Sequence, residues 1–382
     1  MRVGIFTCNY RPLLNGLATA VDLYERWLRF LGHEVVVVAP RYRDQAEDDG
    51  PVIRLPSLRV PTHHRYALPL VWGPTVRRRI AALDLDVYHA QHPFLVGPLA
   101  LHEARRRGRP LVFTYHTLYE RYGHYVPGLA RTAGRLALRR SVAFANRADV
   151  VIVPSPFLAR RLRRLRVRRP IAVVPTGVEL PAEPRAGRDA LRARLGIPAG
   201  AILVLGVGRL AREKGFDLLL QAFAQALAAR PGLRLAVVGE GDEAVRLRRQ
   251  ADRLGIAGAI SWAGAQPRQA LGAWYAGADL LAFPSRSEAQ GLVLLEAMAH
   301  ALPVVAVRSS AAADFVADGT EGRLTPATPE GLAAGILGLA EDPDARERLG
   351  GGARRRAERY PARETAERLA ALYHGAGDGA RG

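Results

Sequence analysis

The sequence predicts an α/β protein of two doubly wound domains, each a mainly parallel sheet with helices on both faces. Three observations carry this. Short apolar runs rich in Val, Ile and Leu alternate with amphipathic helical patterns through both halves of the chain. The alternation pauses at Pro181–Gly187 (PAEPRAG), a stretch that reads as a linker, and then restarts. The 382 residues suit two domains of ordinary size, each able to bury its own core.

In the first half, Arg2–Thr7 and Glu34–Ala39 read as strands around an amphipathic helix, Ala18–Leu31. Asp86–Ala90, Leu111–Tyr115, Val150–Val153 and Ile171–Val174 continue the strand series. In the second half, Ile202–Val207, Leu235–Val238, Ala259–Trp262, Asp279–Phe283 and Pro303–Val307 read as strands. Helical periodicity lies between them, as in Asp217–Ala229 and Ala244–Leu254. A charged last segment, Ala362–Tyr373, reads as a helix. The expected division is residues 1–180, 181–358 and 359–382, with the last helix packing back on the first domain. Ligands of such sheets bind beyond the carboxyl ends of the strands, which places the site in the cleft between the two domains.

Composition narrows the class. A single cysteine, Cys8, excludes an intramolecular disulfide and fits a reducing compartment. The opening run Val3–Phe6 is too short for the apolar core of a signal peptide. No stretch approaches the ~20 apolar residues of a membrane span. Net charge is +19 and uneven: residues 1–180 hold 29 Arg against 13 Asp and Glu, residues 181–382 hold 26 basic against 23 acidic residues. The first half therefore faces something anionic: a membrane surface, nucleic acid or an acidic substrate.

Of the 55 Lys and Arg residues, 54 are Arg, and the exception is Lys214. A position that stays Lys in such a chain calls for a compact ammonium on a thin stem. Lys214 lies in Gly206–Gly215 (GVGRLAREKG), directly after a strand, where α/β proteins place phosphate-binding loops. Arg209 precedes it by five residues, and two fixed cations there can hold a diphosphate and stabilise its charge as it leaves. The same stretch fits the dinucleotide fingerprint in its G-x-G-x-x-A form only weakly, because helical periodicity begins near Asp217.

A second constellation is Ser285–Met298 (SRSEAQGLVLLEAM). Gly291 opens an apolar helix running to about Ala301, and the free amides of Gly291 and Leu292 form an anion site. Glu296 falls on the face of Leu292, one turn on, and suits paired ribose hydroxyls. Glu288 precedes the helix and can reach past the phosphates to the group they carry. The plainer alternative makes Glu288 a cap and Glu296 a solvated residue; the apolar neighbours Leu294, Leu295, Ala297 and Met298 argue against it.

A third is Phe113–Tyr125 (FTYHTLYERYGHY), with His116 just past a strand and Tyr119, Tyr122, His124 and Tyr125 following. It points to an acceptor pocket for hydroxyl groups. A fourth is basic surface: Tyr66 and Trp72 beside Arg77, Arg78 and Arg79, and the cluster Arg160, Arg161, Arg163 and Arg164, with Arg131, Arg135, Arg139 and Arg140 on one helical face. Such faces resemble interfacial membrane segments, or are solvated faces of an Arg-rich chain. Asp84-Leu-Asp86 and the pair His89 and His92 lack a convincing metal partner set, so no metal is expected.

Together these constellations resemble the retaining glycosyltransferases of family 4, which have two Rossmann-like domains facing across a cleft, the GT-B fold. Glu288 and Glu296 match the family's E-x7-E motif, Arg209 and Lys214 its diphosphate-binding pair, Asn15-Gly16 its glycine loop and His116 its cleft histidine. Within the family, Leu14–Val21 (LNGLATAV), His116–Tyr125 and Ser287–Leu292 (SEAQGL) are most similar to the diacylglycerol glucosyltransferases. Leu17 departs from the glycine run of many wider-family members.

The resemblance implies transfer of a hexose, glucose from UDP-glucose, to a lipid hydroxyl such as that of diacylglycerol. In it Glu296 holds the ribose; Gly16, Arg209, Lys214 and the Gly291 and Leu292 amides face the diphosphate; Glu288 contacts the sugar; and His116 lies near the acceptor. A nucleotide-diphosphate sugar is then the co-substrate and no cofactor is required. The partners are a lipid acceptor and an anionic membrane surface, not nucleic acid, with the protein peripheral on the cytoplasmic face. Alternatives are a mannosyl- or galactosyltransferase acting on another lipid or glycan, and a sugar-nucleotide epimerase.

Overall fold

The computed structural model describes residues 1–13, 15–42, 48, 50–59, 67–121, 130–309 and 311–379. The chain forms two compact units, Met1–Gly177 with the chain from Ala362, and Val178–Pro361.

The strands of the first unit are β1 (Arg2–Phe6), β2 (Glu34–Pro40), β3 (Val52–Leu55), β4 (Ser57–Arg59), β5 (Ala67–Pro69), β6 (Val87–Ala90), β7 (Leu111–Thr114), β8 (Val150–Val153) and β9 (Ile171–Val173). Seven form a sheet in the order β3-β2-β1-β6-β7-β8-β9, with every pair parallel. The other two, β4 and β5, make an antiparallel hairpin. The helices are α1 (Gly16–Phe30), α2 (Pro74–Ala81), α3 (Val96–Arg106), α4 (Ala130–Ala145) and α5 (Pro156–Arg164). Runs such as Val35–Ala39 are buried on both faces, as a sheet covered by helices on two sides requires.

The second unit repeats the plan. Its strands β10 (Ile202–Val207), β11 (Leu233–Val238), β12 (Ile260–Gly264), β13 (Leu280–Phe283), β14 (Val304–Val307) and β15 (Gly322–Thr325) form a parallel sheet in the order β12-β11-β10-β13-β14-β15. Its helices are α6 (Arg188–Arg194), α7 (Phe216–Ala229), α8 (Ala244–Arg253), α9 (Arg268–Gly277), α10 (Leu292–Ala299), α11 (Ala312–Phe315), α12 (Pro329–Ala340) and α13 (Pro343–Ala357). The chain then returns to the first unit as α14 (Ala362–Gly379), whose Leu369 and Tyr373 enter the core formed by β1, β2 and α1.

In each sheet the strand order reverses once, between β1 and β6 and between β10 and β13. These switch points are where doubly wound sheets hold ligands, because the loops leaving the two central strands diverge there.

Several elements differ from expectation for identifiable reasons. The first helix begins at Gly16 because Asn15 caps it, its side chain accepting from Ala18 N at 2.9 Å. The helix expected to reach Ala301 ends at Ala299, since Ala301 takes φ +52. The short strands β3 and β15 escape a pattern reading because VIRL and GRLT mix charge into four residues; each lies at a sheet edge. Pro181–Gly187 belongs to the second unit as a pinned strut. Arg185 donates to the carbonyls of Ala276, Ala278 and Ala301, and Val178 N already donates to Tyr360 O.

Candidate active site

The second switch point is built from two loops locked together. After β10 the chain runs through Gly208–Ala211 into a 3-10 turn, Arg212–Lys214, and reaches α7 through Gly215 at φ +73. A Cβ on Gly215 would lie 2.7 Å from the carbonyl oxygen of Pro284, the residue that follows β13. Only glycine allows both the left-handed φ and that approach. Lys214 is thereby placed beside Glu288, and its Nζ donates to Glu288 Oε1 at 2.6 Å. The carboxylate is about one-eighth exposed and the lysine about one-fifth, so water screens the pair only partly. A second glycine contact braces the loop from its other side: a Cβ on Gly239 would collide with the Gly208 carbonyl.

Arg209 has its own carboxylate. Its guanidinium pairs with Glu213, one turn on and almost buried. Each cation that the sequence assigns to a diphosphate is therefore held by a carboxylate of the same loop system. No sequence signature marks Glu213, although it adjoins Lys214; its role depends on the 3-10 turn that brings it to Arg209.

Gly291 takes φ +81 at the start of α10, the eight-residue helix bearing Glu296, and Leu294 N closes the first turn on Gly291 O at 2.8 Å. The next amides, beginning at Leu292, point out of the helix start. In the loop before it, Ser285 and Ser287 are buried and their hydroxyls have no partner among the described residues. Glu296 is half-buried, and Tyr275 of α9 donates to its Oε2 at 2.7 Å. No spacing rule links residues 275 and 296; only the packing of α9 beside α10 reveals the pair.

The first switch point carries neutral groups. Cys8 N, just after β1, donates to His92 Nδ1 at 3.0 Å, joining the loops after β1 and β6. His116 follows β7, and its Nε2 lies 2.6 Å from Gln91 Oε1. The bond fixes the ring on the Gln91 amide through Nε2. Burial pushes the His116 pKa down to about 3, with repulsion from His92 and His89 adding to it, and burial pushes His92 down to about 4. Both rings are neutral at pH 7. Gly16 is exposed at the start of α1.

His89 is structural. It is fully buried in β6, with Nδ1 2.7 Å from Tyr373 Oη of α14 and Nε2 2.6 Å from Thr114 Oγ1. Asp86 accepts from Arg2 N at 2.8 Å and so ties the opposite end of β1. Among the described residues no group of three or more His, Cys, Asp or Glu could hold a metal ion.

Tyr119 does not face outward. It is buried and packs edge-on against Tyr115 and Phe94, at 5.3 Å in each case. Its ring packs within that loop, where the sequence places a candidate acceptor residue. Tyr122, His124 and Tyr125 lie outside the described residues, as does Tyr66. Trp72 is 69% exposed, and Leu58 and Leu68, cross-strand partners in the β4–β5 hairpin, are both exposed. Arg77, Arg78 and Arg79 are exposed on α2, as are Arg160, Arg163 and Arg164 on α5; Arg161 pairs with Glu120. No helix among the described residues is long and apolar enough to cross a membrane.

A family model for group 1 glycosyl transferases matches residues 187–356, and one for Glycosyltransferase Family 4 matches residues 14–181. The chain is 30% identical over 334 residues to an alpha-monoglucosyldiacylglycerol synthase of Acholeplasma laidlawii, covering 84% of each chain. It is 34% identical to a D-inositol 3-phosphate glycosyltransferase of Catenulispora acidiphila, across 87% of this chain and 83% of that one. Among solved structures, Anabaena HepE in complex with UDP-glucose superposes with a TM-score of 0.80 at 21% identity, over 98% of this chain and 100% of that one. That likeness shows the shared fold, two Rossmann-like units of the GT-B type.

Proposed function

Because the chain belongs to the group 1 and family 4 glycosyltransferases and is a hexosyltransferase, we propose that it moves glucose from UDP-glucose to the free hydroxyl of diacylglycerol, with retention at the anomeric carbon. The observation that carries the donor half is the second switch point. There Lys214 is held 2.6 Å from Glu288, and Arg209 is held by Glu213.

Preorganised cations act where charge develops, and a pair already oriented by carboxylates needs no reorganisation as the diphosphate leaves. Lys214, Arg209 and the amides from Leu292 take the diphosphate, Glu296 the ribose and Glu288 the sugar hydroxyls. The lipid oxygen bonds to the anomeric carbon as the bond from that carbon to the diphosphate breaks. The lipid proton passes to the leaving phosphate oxygen, and UDP departs. His116 stays neutral and orients the acceptor by hydrogen bonding; with its pKa near 3 it does not supply a proton at neutral pH. A nucleotide sugar is the only co-substrate this scheme uses.

The acceptor half rests on the similarity to the monoglucosyldiacylglycerol synthase and on the exposed surface of the first unit. Trp72, Leu58 and Leu68 offer apolar anchors, and Arg77, Arg78, Arg160, Arg163 and Arg164 offer cations. The hairpin packs beside β2 and α5 beside β8 and β9, so they are two separate candidate surfaces, each suited to peripheral docking on the anionic cytoplasmic face of a membrane.

A second reading, transfer to an inositol phosphate, is favoured by the 34% identity to the D-inositol 3-phosphate glycosyltransferase. A donor-by-acceptor screen read by mass spectrometry separates them. UDP-glucose, UDP-galactose and GDP-mannose are crossed with diacylglycerol in vesicles and with inositol 3-phosphate, and the anomer is assigned by NMR. Hexosyl-diacylglycerol from UDP-glucose with the α-configuration is expected. Product only with inositol 3-phosphate, or with inversion, overturns the proposal.

A further inference from the structure

The carboxylate of Glu296 has two oxygens, and the protein has used one. Tyr275 Oη donates to Oε2 at 2.7 Å, while Oε1 takes no hydrogen bond among the described residues. The tyrosine cannot swing away. Its ring is 2% exposed and stacks on His300, with centroids 5.5 Å apart and planes 30° from parallel. His300 is itself fixed, because its Nδ1 donates to the carbonyl of Pro184 at 3.0 Å. Burial and the adjacent carboxylate hold the Tyr275 pKa well above its ordinary value, so the hydroxyl remains a donor throughout the working pH range.

A free glutamate on a helix surface samples several rotamers, and a ligand that needs one of them must order the side chain as it binds. We infer that Tyr275 is a positioning residue that fixes Glu296 with Oε1 turned to accept from a ribose hydroxyl, so that α9 sets the discrimination of ribonucleotide from deoxyribonucleotide donors. This rests on the proposed role of Glu296 as the ribose-binding carboxylate. A tyrosine present only for packing would affect stability alone. A positioning tyrosine changes what Glu296 can distinguish.

The test measures Kd for UDP and for 2′-deoxy-UDP by calorimetry on the full chain, with melting curves and steady-state kinetics beside it. The wild type should prefer UDP by ~10-fold or more, the size of one hydrogen bond to a charged group. Glu296→Ala should bring the ratio close to one. Tyr275→Phe keeps the ring and its stacking. It should raise Kd for UDP by roughly 10-fold and cut the ratio to about 2–3, with kcat at saturating donor within about 3-fold of wild type. His300→Ala removes the stacking partner but not the hydroxyl, and should lower the melting temperature while largely keeping the ratio. If Glu296→Ala retains the wild-type ratio, the ribose role of Glu296 falls and the inference with it. If Glu296→Ala abolishes the preference while Tyr275→Phe retains it in full, the role of Glu296 stands and that of Tyr275 is refuted. A His300→Ala ratio as low as that of Tyr275→Phe assigns the effect to packing and equally refutes it.

Discussion

At the switch point of the second unit, charged groups meet in pairs: Lys214 with Glu288 and Arg209 with Glu213. At the matching point of the first unit, between β1 and β6, the groups are neutral: His92 against the Cys8 amide, and His116 against Gln91. The first unit carries a large excess of arginine, yet most of it lies outside. Arg163, Arg164, Arg166 and Arg168 are exposed with no carboxylate partner among the described residues. The same architecture thus separates two electrostatic tasks. One unit concentrates paired charge at a point, which suits a diphosphate. The other keeps the groups at its switch point neutral, which suits a hydroxyl group, buries its ion pairs such as Arg54–Asp48 and Arg29–Glu25 elsewhere, and leaves cations such as Arg163 and Arg164 exposed on its surface.

The strongest way to break that contrast is to remove the point charge. Lys214→Ala should lower turnover by roughly 10²–10³, the usual cost of losing one preorganised donor, and leave Glu288 without its cation. Lys214→Arg is the sharper experiment. A planar fork on a longer stem cannot place one compact ammonium 2.6 Å from Glu288 at the end of a 3-10 turn, so the variant should remain at least ~10-fold impaired. Full activity of Lys214→Arg in a steady-state assay would show that any cation suffices there.

Acid should separate the two units next. His89, His92 and His116 have folded pKa values of about 3, 4 and 3, all depressed by burial, against 6.5 for the free side chain. Below pH 6.5 the unfolded chain takes up protons that the folded one refuses. Stability therefore falls as the pH drops from 6.5 towards 4, by about 1.4 kcal/mol per pH unit for each histidine. In the second unit one histidine, His300, is likewise depressed by burial and adds to the loss below pH 6.5, against these three in the first unit, and the buried Asp279 works lower. Burial opposes its ionisation, but the Leu203 amide and the guanidinium groups of Arg188 and Arg192 outweigh that and hold its pKa below 3.8. Its contribution is complete above 3.8 and is lost only as the pH falls through the lower folded value. Trp27 and Trp72 report on the first unit, Trp262 and Trp274 on the second. Single-tryptophan variants should show the first unit's fluorescence changing at the higher pH.

Much of this contrast is legible in the sequence, and what is not has a physical reason. The alternation of apolar runs and helical patterns reveals the paired sheets because strands buried on both faces must be continuously apolar. Lys214, Arg209, Glu288 and Glu296 stand out because loops after parallel strands and helix starts have sequence signatures. The partners of these residues do not. Tyr275 and Gln91 are ordinary letters in a helix and a strand end, and only packing between elements brings them to Glu296 and His116. The contacts of Tyr119 are equally hidden: an aromatic residue after a strand looks the same on paper whether its ring is packed on neighbours or open.

Tyr373 tests how firmly the returning helix α14 is tied to the core of the first unit. Tyr373→Phe deletes the hydroxyl that bonds His89 Nδ1 and leaves a fully buried imidazole nitrogen without its partner. The expected cost is about 1–3 kcal/mol in chemical denaturation, with the family fold and the second unit's nucleotide binding intact.

The smallest effect on stability belongs to the surface cations. Arg163→Ser and Arg164→Ser remove exposed guanidinium groups with no carboxylate partner among the described residues, and should each change unfolding free energy by no more than ~0.5 kcal/mol. Their effect on membranes should be larger than their effect on folding. A cation near an anionic bilayer is worth ~1 kcal/mol, so each substitution should weaken binding to phosphatidylglycerol-containing vesicles roughly five-fold at low salt, and less as salt screens the field. Neutral vesicles supply the control, because apolar anchors such as Trp72 and Leu68 partition without regard to lipid charge. If the double variant binds anionic vesicles as tightly as wild type while Trp72→Ser does not, the hairpin carries the docking and the arginines of α5 are a solvated face. If sedimentation follows arginine number and salt together, the exposed charge of the first unit is what holds the protein at an anionic membrane.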